Sequence, residues 1–305
     1  MTLVFPGSVP PVLQRRPLRP VRHADADGTL EMVSRDPDPR LRDVVLDYTG
    51  YRERSTGPRR RRELPWPGIV LIFDFGPTLR FLDPDGTALV GRHPGGFLAG
   101  MHDTTVLTET VGAQSGLHVN LTPLGARRLI GRPMHELANR VVGVDEVFGA
   151  AGRRLVERLR NTPGAGDAVW TARFDLLDAA IATRLAEADP MPGLAAAGWR
   201  RLEASGGRMA IGDLAAGLDC SRRHLIAVFR DQFGLPPKTV ARVLRFHRAI
   251  GLHDQGRCTG WADVAYECGY TDQAHFTNDF KRFAGVSPTV FLASRRPCER
   301  GTLPG

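Results

Sequence analysis

The stretch Gly269–Pro288, GYTDQAHFTNDFKRFAGVSP, decides how the rest of the chain is read. Phe276, Phe280 and Phe283 fall at i, i+4 and i+7, one face of an α-helix. Gln273, Ala274, Thr277, Asn278 and Lys281 are left on the other face. In a single copy this is an ordinary amphipathic helix with a solvated polar side. A second copy changes the reading. IGDLAAGLDCSRRHLIAVFRDQFGLPP, from Ile211 to Pro237, aligns with WADVAYECGYTDQAHFTNDFKRFAGVSP, from Trp261 to Pro288. Leu214-Ala215 corresponds to Val264-Ala265, Leu225 to Phe276, Phe229 to Phe280, and Gly234-x-x-Pro237 to Gly285-x-x-Pro288. The offset moves from 50 to 51 because the second turn is one residue longer.

Each copy reads as a short apolar helix, a turn, and a longer helix opened by Ser221 or Thr271, residues able to cap free backbone N–H groups. That is a helix-turn-helix, with small Ala215 and Ala265 where two helices approach closely. With Leu225 and Phe229 inward, the first copy turns Arg222, Arg223, Ile226, Ala227 and Arg230 outward. These types suit a DNA groove: Gln and Asn pair bidentately with adenine, Arg with guanine, Thr and Ala touch a thymine methyl, and Lys281 reaches phosphate. Between the copies, about Lys238 to His253 reads as one helix with Val240, Leu244 and Ile250 on its apolar side. A rod of roughly 24 Å, with the widths of two heads added, holds them near one DNA turn of about 34 Å. Arg242, Arg245 and Arg248 on it either contact phosphates or are exposed surface charges.

Charge supports a polyanion partner at this end. The chain has 305 residues and formal charge +8; residues 200–305 hold 16 Lys and Arg against 10 Asp and Glu, whereas residues 1–199 are near balance at 25 against 23. No run of about 18 apolar residues suggests a membrane span, and the Pro- and Arg-rich start lacks the apolar core of a secretory signal, so a cytoplasmic location is expected. The cysteines, Cys220, Cys258, Cys268 and Cys298, match no zinc spacing and read as structural thiols.

Upstream, residues 1–40 are rich in proline, arginine and aspartate and read as a poorly ordered lead-in. From Trp66 to Leu121 short β-prone runs, IVLIFDF (69–75), LRFL (79–82) and LHVNL (117–121), alternate with turn signals, which suggests a small barrel or sandwich. After Pro123 the period turns helical through Leu124–Ile130, MHELANRV, Asp145–Leu159 and Trp170–Leu185. The expected division is a first domain over 41–190, a Pro- and Gly-containing linker over 191–198, a second domain over 199–295 and a tail over 296–305.

The second domain resembles the tandem helix-turn-helix domain of the AraC/XylS family of transcriptional regulators. Gly269-Tyr270, Asp272-Gln273, Phe276, Phe280-Lys281 and Gly285-Val286-Ser287-Pro288 carry the resemblance, which covers roughly residues 195–295. It implies that the second helix of each unit enters the major groove, nominating Arg223, Ile226 and Ala227 in one and Gln273, Thr277 and Asn278 in the other. Many relatives have arginine where Ala227 and Asn278 stand, which implies a different operator or weaker reading by the first unit. The resemblance further implies an α+β chain: an N-terminal cupin-like β-barrel with trailing helices that senses a small-molecule effector or mediates dimerisation, followed by an all-α domain of two helix-turn-helix units joined by a linker helix. The function expected is sequence-specific, effector-responsive regulation of transcription, as an activator, with double-stranded DNA, RNA polymerase and a second copy as partners. No enzyme activity and no cofactor is expected.

The alternative is a metal-dependent cupin-type enzyme fused to a DNA-binding module. His93, His102, Asp103, Glu109 and His118 supply ligand types, but without the tight spacing of a metal motif, and loop or surface histidines are the plainer reading. HELAN at His135 lacks the second histidine of HExxH, since Asn139 stands there, and GxSxG, Walker-A and GxGxxG are absent. The run Arg59–Arg62 reads as a solvated loop. As an effector site the sequence nominates Tyr51, Arg52, Trp66, Phe73, His102 and His118.

Overall fold

The computed structural model describes residues 16–294, apart from 27, 78, 84, 88 and 259. The expected tail and Cys298 therefore lie outside the described residues. Strands β1 (Arg19–Asp25), β2 (Gly28–Arg35), β3 (Val45–Ser55), β4 (Arg59–Glu63), β5 (Ile69–Asp74), β6 (Arg80–Leu82), β7 (Leu89–Arg92), β8 (Gly96–Ala99), β9 (Val106–Thr110), β10 (Ala113–Leu121) and β11 (Val141–Gly143) fill the first half. Helices are α1 (Pro123–Ile130), α2 (Val144–Arg160), α3 (Gly166–Ala186), α4 (Gly193–Ala204), α5 (Ile211–Gly217), α6 (Arg222–Phe233), α7 (Pro237–Asp254), α8 (Trp261–Glu267), α9 (Gln273–Ala284) and α10 (Pro288–Ser294).

The chain is α+β, as expected, but among the described residues the strands form two open sheets and no closed barrel. One sheet runs β1-β2-β3-β10-β5-β8-β11 and the other β4-β9-β6-β7. Side-chain parity makes the large sheet two-faced. Val33, Tyr48, Leu71, Phe73, Leu98, Leu117 and Val119 are buried on one face with Leu129, Trp170, Phe174 and Leu177 of α1 and α3. α3 comes close at Gly50, where a Cβ would sit 2.4 Å from the Trp170 ring. The other parity faces the small sheet.

Four local expectations need correction. Residues 19–35 are not lead-in but two strands, β1 and β2. Their anchor is a buried ion network, in which Arg35 donates to Asp175 at 2.5 Å and Asp178 at 2.7 Å, and Arg16 and the Tyr48 hydroxyl also donate to Asp178. Composition alone gives no sign of that long-range pairing. Arg59–Arg62 is not a solvated loop but most of β4, paired with β9, its charges met by Arg61–Glu53 at 2.6 Å and Arg60–Glu109 at 2.9 Å. MHELANRV is not a helix: a 3-10 turn, Met134–Glu136, ends before Asn139 at φ 57°, and Val141 and Val142 then pair with β8. The expected linker is also shorter, because α4 begins at Gly193.

Among the described residues no strand follows β11. Two aromatic cores organise the helical part. Trp199, Leu214, Leu225, Phe229 and Phe233 form one, and Phe246, Val264, Phe276, Phe280 and Phe283 the other. Left-handed or near-left-handed glycines end the long helices, Gly234 at φ 90° after α6 and Gly285 at φ 72° after α9. Pro237 and Pro288 then open α7 and α10, where a missing N–H costs nothing.

Candidate nucleic-acid interface and inter-sheet cavity

In each helical unit the short helix crosses behind the long one, and a side-chain cap fixes where the long one starts. Ser221 accepts a hydrogen bond from the His224 backbone N at 3.1 Å. In the second unit the cap is Asp272, accepting from His275 N at 2.7 Å, and not Thr271 as the sequence suggested. Asp272 lies 51 residues after Ser221, which is the offset that a turn longer by one residue requires.

Burial then sorts the faces. Phe276, Phe280 and Phe283 are buried, with Trp261 stacked on Phe276 at 5.3 Å, while Gln273, Ala274, Asn278 and Lys281 are exposed and Thr277 half-buried. On α6, Leu225 and Phe229 are buried, while Arg222, Arg223, Ile226, Ala227 and Arg230 are exposed. Arg222 lies back over Gly212 of α5, where a Cβ would come 2.4 Å from its Nη2.

α7 joins the two units, and its 18 residues make a rod of about 27 Å. Its apolar residues are inward as expected, but Arg242 and Arg245 are engaged within the domain. Arg242 donates to both carboxylate oxygens of Asp279, at 3.1 and 2.5 Å. Arg245 lies 4.8 Å over the Tyr270 ring and donates to the Gly269 carbonyl at 3.4 Å. Arg242 thus has a structural role within the domain.

The sheet domain supports both long helices from behind. Gly234 abuts the 3-10 turn, a Cβ there lying 2.9 Å from the Met134 carbonyl oxygen, and Met101 enters the core beneath α6. Arg282 of α9 donates to Asp103 at 2.9 Å, and Arg62 donates to the Ala284 carbonyl at 3.4 Å.

Between the two sheets lies a cavity of about 650 Å³, reached also by Phe246, His247 and Ile250 of α7 and by Phe291 of α10. Of the six nominated effector residues, Tyr51, Trp66, His102 and His118 line it. Two do not. Phe73 has the core-facing parity of β5, and Arg52 leaves β3 on the face opposite Tyr51, lying 4.8 Å over the Trp170 ring. Lining residues that the sequence did not single out, such as Met32, Ile72, Phe97 and Phe246, share alternation with ordinary core residues and carry no local mark. His102 donates from Nδ1 to the Gly100 carbonyl at 2.6 Å, and burial pushes it below the ordinary histidine value. Burial likewise takes His118 down to about 4.

The ligand types considered for a metal do not converge. Glu109 receives Arg60 and Arg80, Asp103 receives Arg282, and His93 packs edge-on to Phe81. Among the described residues no group of three or more His, Cys, Asp and Glu side chains is gathered. Cys268 is buried, and that burial pushes its thiol up to about 11.

A family model described as a helix-turn-helix domain matches residues 214–294, which takes in both capped units and α7 between them. This is an AraC-type helix-turn-helix domain. The AraC-type domain makes the chain a DNA-binding transcriptional regulator. Upstream of it, a domain of unknown function (DUF6597) matches residues 34–143, from the end of β2 to the end of β11. A comparison with curated proteins finds no match. Among solved structures, ToxT from Vibrio cholerae is similar at 11% identity and TM-score 0.43, over 78% of this chain and 98% of its own. The C-terminal domain of AraT from Geobacillus stearothermophilus is similar at 19% identity and TM-score 0.33, over 35% and 89%. Oxalate decarboxylase from Lactobacillus farciminis is similar at 15% identity and TM-score 0.24, over 52% and 46%. Among the described residues no helix is long and apolar enough to cross a membrane.

Proposed function

We propose that α6 and α9 enter successive major-groove segments of one DNA face, and that the inter-sheet cavity receives a small-molecule effector. One observation carries the DNA half: two capped helices, tied to one rod and backed by aromatic cores, both leave their polar faces exposed. Gln273, Ala274, Thr277 and Asn278 read bases by hydrogen bonds and methyl contact, and Lys281 holds phosphate. Arg222, Arg223 and Arg230 divide guanine and phosphate contacts in the first head, where Ile226, 37% exposed, and Ala227 offer apolar contact to thymine methyls. The cavity supports the effector half, since it is roofed by the helix that carries both heads. Activation through RNA polymerase, a second copy as partner, a cytoplasmic setting and the absence of a catalytic step belong to the same reading.

Selection of bound duplexes from random DNA tests it. The expected result is two short enriched elements about one helical turn apart, bound with an affinity that falls steeply with salt. No enrichment, or enrichment of a single element unaffected by changes in α6, would overturn the two-headed reading.

A further inference from the structure

The cavity's chemistry follows from which strand parity faces it. Around its rim four arginines are held by two carboxylates: Arg61 donates to Glu53 at 2.6 Å, Arg59 lies 3.5 Å from the same carboxylate, and Arg60 and Arg80 grip Glu109 at 2.9 and 2.5 Å. Arg62 turns to the Ala284 carbonyl. The uncharged polar groups on the wall are led by Tyr51, Thr110, Gln114, His102 and His118, and the carboxylates of Glu63, which accepts from the Thr108 hydroxyl at 3.0 Å, and Asp85 also line it. Burial keeps the Tyr51 phenol protonated and the His118 imidazole neutral. Two of these groups lack what a buried polar atom requires: among the described residues, Thr110 Oγ1 and His118 Nε2 have no hydrogen-bond partner. They belong to opposing sheets, β9 and β10. The remaining wall is apolar, with Met32, Ile72, Phe81, Phe97, Phe246 and Ile250. An ion placed against this apolar wall would give up its hydration, and the arginines at the rim are already engaged by carboxylates or by a carbonyl.

The wall is also connected to one reading head and not the other. Phe246 lies 5.2 Å from Phe280 and 5.1 Å from Phe283, and Phe291 lies 5.4 Å from Phe280, so two cavity-lining rings press on the inner face of α9. The core beneath α6, with Leu225, Phe229 and Phe233, contributes no residue to the lining.

We propose that the inter-sheet cavity takes an uncharged, mainly apolar small molecule bearing a hydrogen-bonding group, and that its presence is felt by the second reading head through Phe246 and Phe291. The proposal rests on the effector reading above and narrows it to one ligand class and one head.

The test uses the full chain and three probes that share one apolar body: biphenyl-4-methanol, biphenyl-4-carboxylate and biphenyl-4-methylamine. Titration calorimetry and thermal shift should show the alcohol binding at least about tenfold more tightly than either ion. Ile72→Trp, which puts an indole into the cavity, should weaken this at least about tenfold, and Thr110→Val should weaken it several-fold; Val70→Phe replaces Ile72→Trp if that variant does not fold. The alcohol should also change affinity for the selected duplex, and base changes in the second element should alter that response more than changes in the first. Binding of the carboxylate or the amine as tightly as the alcohol, failure of all three to bind, or alcohol binding unchanged by Ile72→Trp overturns the ligand class. Alcohol binding with no effect on DNA affinity overturns the effector reading and the link to α9 while upholding the ligand class.

Discussion

Gln273 stands exposed at the first turn of α9, with an amide that can both donate to and accept from one adenine edge. Removing it should flatten base preference at one or two positions of the second element, at a cost of about 1–3 kcal/mol. Repeating the DNA selection with Gln273→Ala checks this, and an unchanged preference would sink the assignment. His118 makes a prediction of a different kind. Its value in the folded chain, about 4, lies below the ordinary 6.5, so the unfolded chain takes up the proton first. The stability it contributes is complete above about pH 6.5 and is lost as pH falls toward 4. Between pH 7 and pH 5 this amounts to about 1–2 kcal/mol for a group at a cavity wall. His102 and His247, also lowered by burial, act in the same direction, while Asp74, raised to about 6 by burial, acts in the opposite one. Urea midpoints at the two pH values should therefore show His118→Leu losing less stability on acidification than the wild type. Equal losses would mean that His118 is as well solvated folded as unfolded.

At the scale of elements, the pairing of α7 with α9 rests on Arg242 and Asp279 as much as on the phenylalanines. Asp279 is 5% exposed, and its carboxylate is met on both oxygens by one guanidinium, which also lies 5.2 Å over the Phe283 ring. Stripping one partner from such a pair leaves the other charge unmatched, so Asp279→Ala should destabilise the second unit by about 3 kcal/mol. Denaturation followed at the second unit's aromatic residues measures the loss. DNA binding by folded Arg242→Ala should keep the wild-type salt slope, since the Arg242 charge is already met by Asp279; a slope reduced by about one would restore the phosphate role.

The whole molecule fixes the distance and rotation between the heads. α7 is continuous from Pro237 to Asp254, and the sheet domain braces α6 through the Met134 turn and α9 through Asp103 and Arg62. Two heads held in this way match DNA elements in one helical phase. Inserting about five base pairs between the elements, half a turn, should reduce affinity to that of a single head, and inserting about ten should restore part of it. Gel shifts on the three duplexes decide this, and equal binding to all three would mean that the heads move independently.

The repeat, its apolar period and its turn residues were enough to locate both helix-turn-helix units and the faces they expose, because helix periodicity, caps and glycine ends are local properties. The strand runs at 69–75 and 117–121 and helices α1, α2 and α3 were legible for the same reason. What lay beyond the sequence depended on partners distant in the chain. Arg35 makes β2 part of the core only because Asp178 waits on α3, and the Arg59–Arg62 run becomes a strand only because β9 and two glutamates receive it. In the sequence Arg242 reads as a phosphate contact or a surface charge, and its pairing with Asp279, 37 residues on, exists only in the folded chain. The same holds for the cavity. Tyr51 and Arg52 are neighbours of similar promise in sequence, and only the choice of which sheet face meets helices and which meets the second sheet puts one on the wall and the other outside.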